Sequence, residues 1–314
     1  MKVALVYGGF SSERKASEEN AVYIEKALRE KGYETCMIPY EKGLIKILRQ
    51  ERADIVYVCV QGKGHGDGTI QAILEQEGIP FTGSDAHAAA LINDKIWSKL
   101  LFDRVGIPTP RWEMLTRQDY EKGLFHAERF GYPFVAKAPS EGGSFGIELI
   151  RGKEELGKIE EVFTYESPIL IEEFIPGTFY TIGVLKQDGK IVTLPCVQGV
   201  ELIEDQKKVD PDSLTVFTGG YTVADALLSE ALLEEMDEIA RKVFTVTGAR
   251  DLARIDFMVK KDDMKPYVLE INAVPGLKPR SLFPGEAVRA GIEYEDLIEG
   301  ILLEAWKRTR KEEN

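Results

Sequence analysis

The sequence predicts a protein that begins as a parallel α/β domain and continues as α+β, and two observations carry this prediction. Over roughly the first 90 residues, strand-like and helix-like segments follow one another in the order β-α-β-α-β, which is typical of a parallel sheet. Beyond residue 110 the strands are short and broken by glycine and proline, which indicates an antiparallel sheet. A length of 314 residues fits two domains or three small ones.

The first part of the chain contains three apolar segments with strand character. They are "KVALVYG", "YETCMIP" and "DIVYVCV". A helix pattern with one apolar stripe begins near Ser17 and stops at Gly32, and "KGLIKILRQE" is a second helix between the last two strands. A glycine-rich turn, "QGKGHGDG", leaves the third strand and leads into another helix. This alternation predicts parallel strands.

The second part of the chain has shorter strands between helices. The helix "NDKIWSKLLFDRVG" is ended by Gly106 and Pro108. The strands that follow are "YPFVAKAP", "SFGIELIRG", "PILIEEFI" and "TFYTIGVL", with the helix "KEELGKIEEVF" among them. "QDGK" at 187–190 signals a hairpin turn, the long helix "SEALLEEMDEIARKVFTVTG" precedes two further strands, and an amphipathic helix ends the chain.

The charge of the chain excludes some classes of partner. The formal net charge is -13 and the pI is near 5.0, so a general nucleic-acid or anionic-membrane binder, which needs a basic face, is not expected. A local cluster of basic residues remains compatible with a small anionic ligand. No apolar run approaches 18 residues, which predicts no transmembrane helix, and we expect a cytoplasmic protein.

Two late strands carry acidic and amide side chains where core residues are expected. Arg254 and Asp256 alternate with apolar residues in "RIDFMV", and the alternation in "VLEIN" places Val268, Glu270 and Asn272 on one face. If the strands pair, two carboxylates and an amide converge, and these are donors that Mg²⁺ prefers. Carboxylates held that close would repel each other without a cation. The alternative is a solvated hairpin face with an incidental arginine.

Lysines that would reach a metal-bound phosphate lie elsewhere in the chain. Lys95 begins a helix, and Lys137 lies in the apolar strand "FVAKAP", where a lone lysine is costly unless it is paired. The loop "SEGGSFG" follows and offers a flexible backbone with the Ser144 hydroxyl, which resembles a phosphate-binding loop in its chemistry. The alternative for Lys137 is a lysine whose stem packs on apolar side chains while its ammonium reaches solvent.

A third segment, "LIEEFIPG", places two glutamates at a strand end before a Pro-Gly turn. The segment runs from Glu172 and Glu173 through Ile175. A strand end that joins two domains offers backbone groups and a carboxylate to an adenine ring. We therefore expect the base of a nucleotide to bind there.

Short motifs follow one another in a fixed order along the chain. They are "GGFSSER", "GDGTIQ", "PFTGS", "DK", "VAKAPSEGGSFG", "LIEEF", "RIDFMV", "LEINAVPGL" and "RSLFP". The ordered set, over about residues 3–305, resembles the D-alanine–D-alanine ligases of the ATP-grasp superfamily. The resemblance implies a three-domain ATP-grasp architecture. Its parts would be an N-terminal parallel α/β substrate-binding domain at 1–94, a central α+β lid at 95–178, and a C-terminal catalytic domain with a largely antiparallel sheet at 179–314.

The same resemblance implies an ATP-dependent carboxylate–amine ligase. In that family ATP phosphorylates a carboxylate, an amine attacks the acylphosphate, and the D-alanyl dipeptide product enters peptidoglycan synthesis. The implied cofactors are ATP and Mg²⁺, with Mn²⁺ as an alternative, and the implied partners are small amino-acid substrates, with no nucleic acid and no membrane. The family often forms homodimers through its N-terminal part, although no interface is visible in this sequence.

The resemblance also assigns the metal ligands and the groups around the reacting carbon. The implied metal ligands are Asp256, Glu270 and Asn272, in agreement with the strand pattern. Arg254 and the backbone of Gly276 would stabilise the tetrahedral oxyanion.

Further motif positions imply contacts to the nucleotide and to the two amino acids. The residues implied to contact ATP are Lys95, Lys137, Ser144, Glu172, Glu173 and Ile175. Glu13 would hold the ammonium of the first amino acid, although a carboxylate that serves a helix dipole is the alternative for it. Ser281, with Leu282, would hold the carboxylate of the second amino acid.

The departures from the family pattern concern the substrate pocket more than the chemistry. The first serine of the family's glycine loop is Gly143 here, and the histidine and glutamate of the motif His-Gly-x-x-Gly-Glu-Asp-Gly are Gln61 and Gly66. The acidic residue that grips the ribose falls at Phe179, and the threonine after the metal-binding asparagine is Ala273. The candidates for the Lys-Tyr pair of the family's mobile loop are Lys207, Lys208 and Tyr221, among which the sequence does not choose.

Three functions remain open at the level of sequence. The first is D-alanine–D-alanine ligation with a rebuilt pocket, and the second is ligation of other amino or hydroxy acids. The third is an ATP-binding regulator without ligase activity, which the phenylalanine at the ribose position motivates.

Overall fold

The structure is a computed structural model that describes residues 1–64, 66–202 and 220–312. The described residues form three β-sheets with helices packed against them. The strands are β1 (Lys2–Tyr7), β2 (Glu34–Pro39), β3 (Ile55–Val58), β4 (Trp112–Leu115), β5 (Phe134–Lys137), β6 (Ile147–Ile150), β7 (Ile169–Glu173), β8 (Gly177–Gln187), β9 (Lys190–Thr193), β10 (Val197–Leu202), β11 (Gly220–Asp225), β12 (Leu252–Lys260) and β13 (Pro266–Asn272).

The α-helices follow the predicted amphipathic segments closely. They are α1 (Arg14–Glu30), α2 (Leu44–Glu51), α3 (Thr69–Gln76), α4 (Ala86–Asn93), α5 (Lys95–Val105), α6 (Arg117–Glu121), α7 (Ile159–Val162), α8 (Glu230–Val246), α9 (Leu282–Arg289) and α10 (Tyr294–Glu312). Short 3₁₀ turns occupy Ala127–Arg129 and Lys153–Lys158, so only the last part of the helix predicted at "KEELGKIEEVF" is α-helical. No helix in the described ranges is long and apolar enough to cross a membrane.

The N-terminal sheet is parallel, as the β-α-β-α-β pattern predicts. Its strand order is β2-β1-β3, and both neighbours pair with β1 in the parallel sense. Successive residues of β1 point to opposite faces. Val3 and Leu5 pack with α1 and α10, whereas Ala4 and Val6 pack with α2 and α3. The sheet is therefore covered on both sides, which is typical of a parallel sheet.

The central sheet is antiparallel, which confirms the expectation from its short, interrupted strands. The strand order is β4-β7-β5-β6. Phe134, Ala136 and Ile171 lie in an apolar core that this sheet shares with Ile159 and Val162 of α7. The opposite end of β5 carries Lys137, which points away from that core.

The third sheet has the strand order β11-β10-β8-β12-β13, with β9 paired to β8 as the predicted hairpin. Every pairing in it is antiparallel. One face packs on α8, and on α4 and α5, through a core in which Ile255, Phe257 and Val259 are buried. The opposite face of the same sheet carries the polar residues of the candidate site.

The hairpin of β12 and β13 has the predicted partners but not the predicted register throughout. Asp256 lies opposite Glu270, as the sequence predicts. A β-bulge then shifts the register, so that Phe257 lies opposite Val268 and Leu269 is the extra residue. The prediction that Val268 shares a face with Glu270 is wrong, because the bulge turns Val268 into the apolar core.

The helix predicted at "NDKIWSKLLFDRVG" begins two residues later than the motif. Asp94 is the N-cap of α5, and its side chain accepts hydrogen bonds from the backbone of Ile96 and Trp97. Gly106 ends the helix in the left-handed conformation, as predicted. Lys95 is therefore the first helical residue, and its side chain is buried against the neighbouring sheets.

Candidate active site

The β12–β13 hairpin holds a compact set of charged and amide groups on its polar face. The Arg254 guanidinium donates to both carboxylate oxygens of Asp256, each at 2.7 Å. The Asn272 amide nitrogen donates to Asp256 Oδ2 at 3.1 Å, and the Thr181 hydroxyl of β8 donates to Oδ1 at 3.1 Å. The Asp256 carboxylate is thus fixed by three neighbours in a buried position.

Glu270, the second carboxylate of the hairpin, faces the lysines that the sequence singled out. Its Oε2 atom lies 3.2 Å from the Lys95 ammonium. Burial alone would raise the pKa of the Glu270 carboxyl, but the charges of Lys95 and Lys137 outweigh burial and hold the pKa below its ordinary value. Glu270 is therefore balanced by the protein's own cations, and repulsion between the carboxylates does not by itself decide whether a metal binds there.

The donor set of the hairpin nevertheless fits a divalent cation. Asp256 and Glu270 lie directly opposite each other, and Asn272 donates to both through its amide nitrogen, at 3.1 and 3.5 Å. The amide oxygen of Asn272 and the carboxylate oxygens are hard donors of the kind that Mg²⁺ takes together with phosphate oxygens and water. Within the described ranges, no three His, Cys, Asp or Glu side chains form a complete metal cluster. A divalent cation bound here would therefore need further oxygen ligands from a bound phosphate or from water.

Lys137 lies in a buried ion-pair triad that also contains a residue the sequence analysis missed. The Glu172 carboxylate, which is almost fully buried, pairs with Lys137 through Oε2 and with Lys99 through Oε1, the latter at 2.5 Å. Burial alone would raise the pKa of Glu172, but the two lysines outweigh it and lower the pKa. Lys99 follows Lys95 by four residues on a predicted helix, and this spacing, which places both on one face, was the available signal.

The triad is connected to the β13 bulge. Lys99 Nζ donates to the Thr109 hydroxyl at 2.5 Å, and that hydroxyl donates to the Val268 carbonyl at 2.8 Å. The backbone N–H of Val268 donates to the carbonyl of Pro108 at 2.8 Å. Segment 108–109 therefore satisfies both backbone groups at the bulge and links it to Glu172.

A cavity of about 60 Å³ opens between the N-terminal sheet and the hairpin. One buried water needs roughly 10–15 Å³ by the same kind of measure, so the cavity suits a molecule of several heavy atoms. Its charged and polar lining includes Glu13, Gln61, Lys95, Glu141, Glu270 and Asn272. Four of these residues were predicted as site residues, and they come from three separate parts of the chain.

Glu13 points into this cavity instead of capping its helix. It occupies the N-cap position of α1, but its side chain makes no capping hydrogen bond. Its carboxylate is packed so closely on Gly142 and Gly62 that a Cβ atom there would lie 2.5 Å and 2.9 Å, respectively, from Oε2. Burial raises the pKa of Glu13, against the lowering influence of Lys95. The alternative of a carboxylate that serves the helix dipole stays open, because Glu13 lies at the start of the helix.

Glu141 is an acidic residue of the site that the sequence analysis did not single out. It lies inside the quoted loop "SEGGSFG", and its carboxylate accepts from the Ser12 hydroxyl at 2.7 Å. Its carbonyl accepts from Lys95 Nζ at 2.7 Å, so the same lysine contacts the loop and Glu270. The contact of Lys95 is with the backbone of Glu141, so the side-chain pattern of the loop does not indicate it.

Gly276 and Ser281 lie together on the other side of the hairpin. A Cβ atom on Gly276 would lie 3.2 Å from the Ser281 hydroxyl. Ser281 is the N-cap of α9, yet its side chain makes no capping hydrogen bond, so its hydroxyl is not committed to the N–H groups that begin the helix. A carboxylate is favoured at such a position, because helix N-termini carry unsatisfied N–H groups and a partial positive charge.

Other predicted residues are placed less centrally. Glu173 pairs with Arg111 at 3.8 Å on the opposite face of β7 from Glu172. Ile175 is buried just after β7. Ser144 is half-buried with a left-handed backbone, at φ 65°. Phe179 is buried in β8.

The candidates for the mobile-loop pair lie beyond what the structure describes. Lys207 and Lys208 fall within the segment between 202 and 220, and only the backbone of Tyr221 is described, as part of β11.

Two of the departures from the family pattern have a steric or packing consequence. A Cβ atom on Gly66 would lie 2.8 Å from the carbonyl of Val60, so the glutamate of the family motif would not fit there without a backbone shift. Gly143 has φ 59°, but a Cβ atom there would make only ordinary contacts, with the Phe145 ring at 3.5 Å and Glu13 Cγ at 3.9 Å. The first departure is therefore coupled to the backbone, and the second leaves room.

Glu286 is a further buried carboxyl that the sequence did not single out. It lies on α9 next to Gly183, where an added Cβ atom would be 2.3 Å from Oε2. Burial raises the pKa of Glu286 well above its ordinary value, although Arg254 acts in the opposite direction. Its position explains why residue 183 has no side chain.

The antiparallel sheets, the facing lysines and the acidic hairpin together define the ATP-grasp class of proteins. A family model described as "D-ala D-ala ligase C-terminus" matches residues 101–303. The D-alanine–D-alanine ligase of Carboxydothermus hydrogenoformans is 35% identical over 312 residues, which cover 96% of this chain and 97% of that protein. The ligase of Maridesulfovibrio salexigens is 34% identical, covering 99% and 100%.

Solved structures agree with these sequence relatives. The D-alanine–D-alanine ligase from Bacillus anthracis, solved in complex with ATP, superimposes with a TM-score of 0.84 at 28% identity, covering 99% of each chain. The chain belongs to the D-alanine–D-alanine ligase family.

Proposed function

We propose that this protein is an ATP-dependent carboxylate–amine ligase that joins two molecules of D-alanine. The observation that carries the proposal is the cavity in which Glu13, Lys95 and Glu270 meet, because it brings an ammonium-binding carboxylate next to a phosphate-binding face. The full-length similarity to D-alanine–D-alanine ligases supports the choice of substrate. The dipeptide would serve peptidoglycan synthesis in the cytoplasm.

In the first step, a carboxylate oxygen of the first amino acid attacks the γ-phosphorus of ATP. The bond between the γ-phosphorus and the bridging oxygen breaks, and ADP leaves with that electron pair. Lys95 and Lys137 would neutralise the phosphate oxygens, and the loop around Ser144 would close over them. Asp256, Glu270 and Asn272 would hold Mg²⁺, or Mn²⁺ as an alternative, which when bound shields the charge of the phosphates.

In the second step, the amine of the second amino acid attacks the acyl carbon of the acylphosphate. The new C–N bond forms a tetrahedral centre with a negatively charged oxygen, which collapses as phosphate leaves and the nitrogen loses a proton. The Arg254 guanidinium and the backbone N–H of Gly276 are the groups we assign to that oxygen. The Ser281 hydroxyl and the start of α9 would hold the carboxylate of the second amino acid.

The remaining residues position the substrates. The segment from Glu172 to Ile175 would bind the adenine, with Glu172 held in place by two lysines. Glu13 would hold the ammonium of the first amino acid, because its carboxylate is buried in the cavity and makes no cap. The small cavity favours a compact amino acid such as alanine over one with a long side chain.

A second candidate function is ligation of another amino or hydroxy acid. The observation that favours it is the altered surroundings of the first-substrate cavity, where Gln61, Gly66 and Gly143 replace side chains of the family pattern. The division into domains at 1–94, 95–178 and 179–314 and a homodimeric state also remain proposals.

The experiment that tests the proposed function measures ADP and dipeptide together. The purified protein is supplied with ATP, Mg²⁺ and a panel of D-amino, L-amino and hydroxy acids. We expect ADP release with D-alanine and a D-alanyl dipeptide in the mass spectrum. Turnover with another pair far above that with D-alanine would establish the second candidate, and tight ATP binding without any product would leave only a nucleotide-binding role. Glu270→Gln protein, prepared in parallel, controls for contaminating ATPase.

A further inference from the structure

The turn that carries Gly276 is held by two buried amide side chains from the N-terminal part of the chain. Gln61 follows β3 and Asn20 lies on α1, and both are buried. Gln61 Nε2 donates to the carbonyl of Val274 at 2.7 Å. Asn20 Oδ1 accepts from the backbone N–H of Leu277 at 2.9 Å. We call these two side chains the amide clamp.

The members of the amide clamp also contact each other and are themselves anchored. Asn20 Nδ2 donates to Gln61 Oε1 at 3.4 Å. The Gln61 carbonyl accepts from the Ser11 hydroxyl at 2.8 Å, which fixes the backbone from which the glutamine projects. Each amide therefore uses one end for its partner and the other end for the turn. This arrangement requires a donor and an acceptor in each side chain, which two amides supply.

The positions that the clamp holds lie on either side of Gly276. Val274 is two residues before the glycine and Leu277 is one residue after it. Pro275, between the held carbonyl and the glycine, has a φ angle fixed by its ring. Two anchored ends and one rigid residue leave the peptide that carries the Gly276 N–H little freedom to rotate.

Further contacts strengthen the C-terminal end of the turn. The Tyr294 hydroxyl donates to the carbonyl of Leu277 at 2.8 Å, and Lys278 pairs with Glu19 at 2.7 Å. These contacts restrain Leu277 and Lys278, but only the clamp reaches Val274 on the N-terminal side among the contacts of the described residues. Loss of the Gln61 hydrogen bond would therefore release one side of the glycine while the other side stays fixed.

We propose that Gln61 and Asn20 are positioning residues that aim the Gly276 N–H at the oxyanion of the ligation step. The proposal rests on the proposed function, because that function assigns the oxyanion to Gly276. The proposal gives Gln61 a role in holding the Gly276 turn, in addition to lining the cavity. The clamp acts on the second chemical step, since no oxyanion forms at carbon while the carboxylate is being phosphorylated.

The test is a pair of near-isosteric variants, Gln61→Glu and Asn20→Asp. The glutamate at 61 has no N–H for Val274 and repels its carbonyl, whereas the aspartate at 20 keeps the acceptor for Leu277 and loses the donor to Gln61. Removal of an oxyanion donor costs about 10²–10³ in kcat, so a displaced donor in Gln61→Glu should reduce dipeptide formation by about 10- to 100-fold. Asn20→Asp should have a smaller effect.

The readout that separates positioning from general damage is the ratio of ADP to dipeptide. In the wild type we expect one ADP per dipeptide. In Gln61→Glu the acylphosphate still forms but is captured slowly, so water hydrolyses it and more ADP is released per dipeptide. The KM for ATP should stay close to that of the wild type, because the variant leaves the nucleotide contacts unchanged. Gln61→His, which keeps a ring N–H at similar reach, should restore most of the ligation rate.

The matched control is Gln71→Glu, a charge introduced at another buried glutamine. Gln71 lies on α3 and does not line the cavity that contains Gln61. It should lower stability comparably while keeping one ADP per dipeptide. Equal ligation rates in Gln61→Glu and wild type, or the same uncoupling in Gln71→Glu, would overturn the proposal.

A second measurement is independent of turnover. Asn20→Leu removes the acceptor for the Leu277 N–H, so the exchange of that amide with deuterium should accelerate by about tenfold or more in the nucleotide-free protein. Unchanged exchange at Leu277 would show that the clamp does not restrain the turn. If instead the wild type forms no dipeptide from any substrate while Leu277 responds as expected, the proposed function fails and the restraint of the turn stands.

Discussion

The two ends of the candidate site balance their charges in opposite ways. At the nucleotide end, Lys99 and Lys137 enclose a single carboxylate, Glu172, and leave an excess of positive charge. At the proposed amino-acid end, Glu13, Glu141 and Glu270 line one cavity with Lys95 and leave an excess of negative charge.

The difference shows how a protein with a net charge of -13 would attract both an anionic and a cationic ligand. Under the proposed function, Lys137 would complement phosphate oxygens, whereas Glu13 and Glu270 would complement an ammonium group and a divalent cation, respectively. The local charge at each end depends on which side chains lie within a few ångströms of one another. The net charge of the chain has little influence on it.

The largest effect is expected where the two ends meet, on the hairpin. Asp256→Asn and Glu270→Gln should each lower turnover by about 10³-fold, because metal assistance is worth several kcal/mol and each ~1.4 kcal/mol is a factor of ten. Steady-state ADP release measures the loss, with circular dichroism to confirm the fold. Asp262→Asn, on the exposed turn of the same hairpin, is the matched control and should retain activity. Near wild-type rates in both site variants would refute the metal assignment.

The nucleotide end can be disrupted by changing its ion-pair balance. Glu172→Gln leaves two buried lysines without a counter-ion, which should lower the free energy of unfolding by about 3–5 kcal/mol. Lys99→Met should cost less, because it leaves a one-to-one pair between Glu172 and Lys137.

Urea denaturation of the variants measures this difference. Glu173→Gln, at the exposed neighbouring glutamate of β7, is the control and should change stability by no more than about 0.5 kcal/mol. A Lys99→Met variant less stable than Glu172→Gln would contradict the charge argument.

The amino-acid end can be examined through pH. Burial raises the pKa of Glu13, and only its ionised form binds an ammonium, so kcat/KM for the first amino acid should fall as the pH drops through that raised pKa. Glu13→Gln should lose about 10- to 100-fold in kcat/KM at neutral pH, since hydrogen bonds to charged groups contribute about 1.5–3 kcal/mol. A pH–rate profile of the variant should lack this acidic limb.

The raised pKa of Glu13 has the opposite consequence for stability: the ionised form that binds substrate is the form that destabilises the fold. The folded protein binds a proton at Glu13 more tightly than the unfolded chain does, so the raised pKa opposes folding above the unfolded pKa and most strongly above the folded pKa. Glu13→Gln should therefore gain stability relative to the wild type as the pH rises. If the Glu13→Gln variant keeps the acidic limb of the pH–rate profile and gains no stability at higher pH, Glu13 does not bind the first amino acid.

The smallest effect is expected at Gly143. The Cβ atom of a serine there would contact the Phe145 ring at 3.5 Å and Glu13 Cγ at 3.9 Å without a clash, but the left-handed backbone costs a side chain roughly 1–2 kcal/mol. Gly143→Ser should fold, lose a few degrees in Tm, and shift the preference among first substrates. Thermal denaturation and the substrate panel measure both effects. An unchanged preference would show that the glycine does not determine substrate choice.

Much of the fold and of the hairpin site was predictable because local rules governed it. Alternation fixed the strands, and the opposition of Asp256 and Glu270 followed from pairing two short strands across a polar turn. The bulge at Leu269 was not predictable, because the residues of "VLEIN" are equally compatible with an uninterrupted strand.

The missed residues depend on contacts between distant segments. Lys99 becomes a partner of Glu172 only when α5 packs beside β7, and Gln61 meets Val274 across more than two hundred residues of sequence. The spacing of Lys95 and Lys99 on one helix face hinted at the first contact. No local pattern indicates the second, because a glutamine after a strand is unremarkable in itself.

The bulge in β13 connects the two ends of the candidate site through hydrogen bonds. The backbone N–H of Val268 donates to the Pro108 carbonyl, and the Val268 carbonyl accepts from the Thr109 hydroxyl, which in turn accepts a hydrogen bond from Lys99. Two residues further along the same strand is Glu270. Glu172, Lys99, Thr109 and Val268 thus form a continuous chain of polar contacts, which links the proposed adenine site to the strand that carries the proposed metal ligand Glu270. Loss of one residue between Val268 and Glu270 would therefore shift Glu270 relative to the segment that holds Val268.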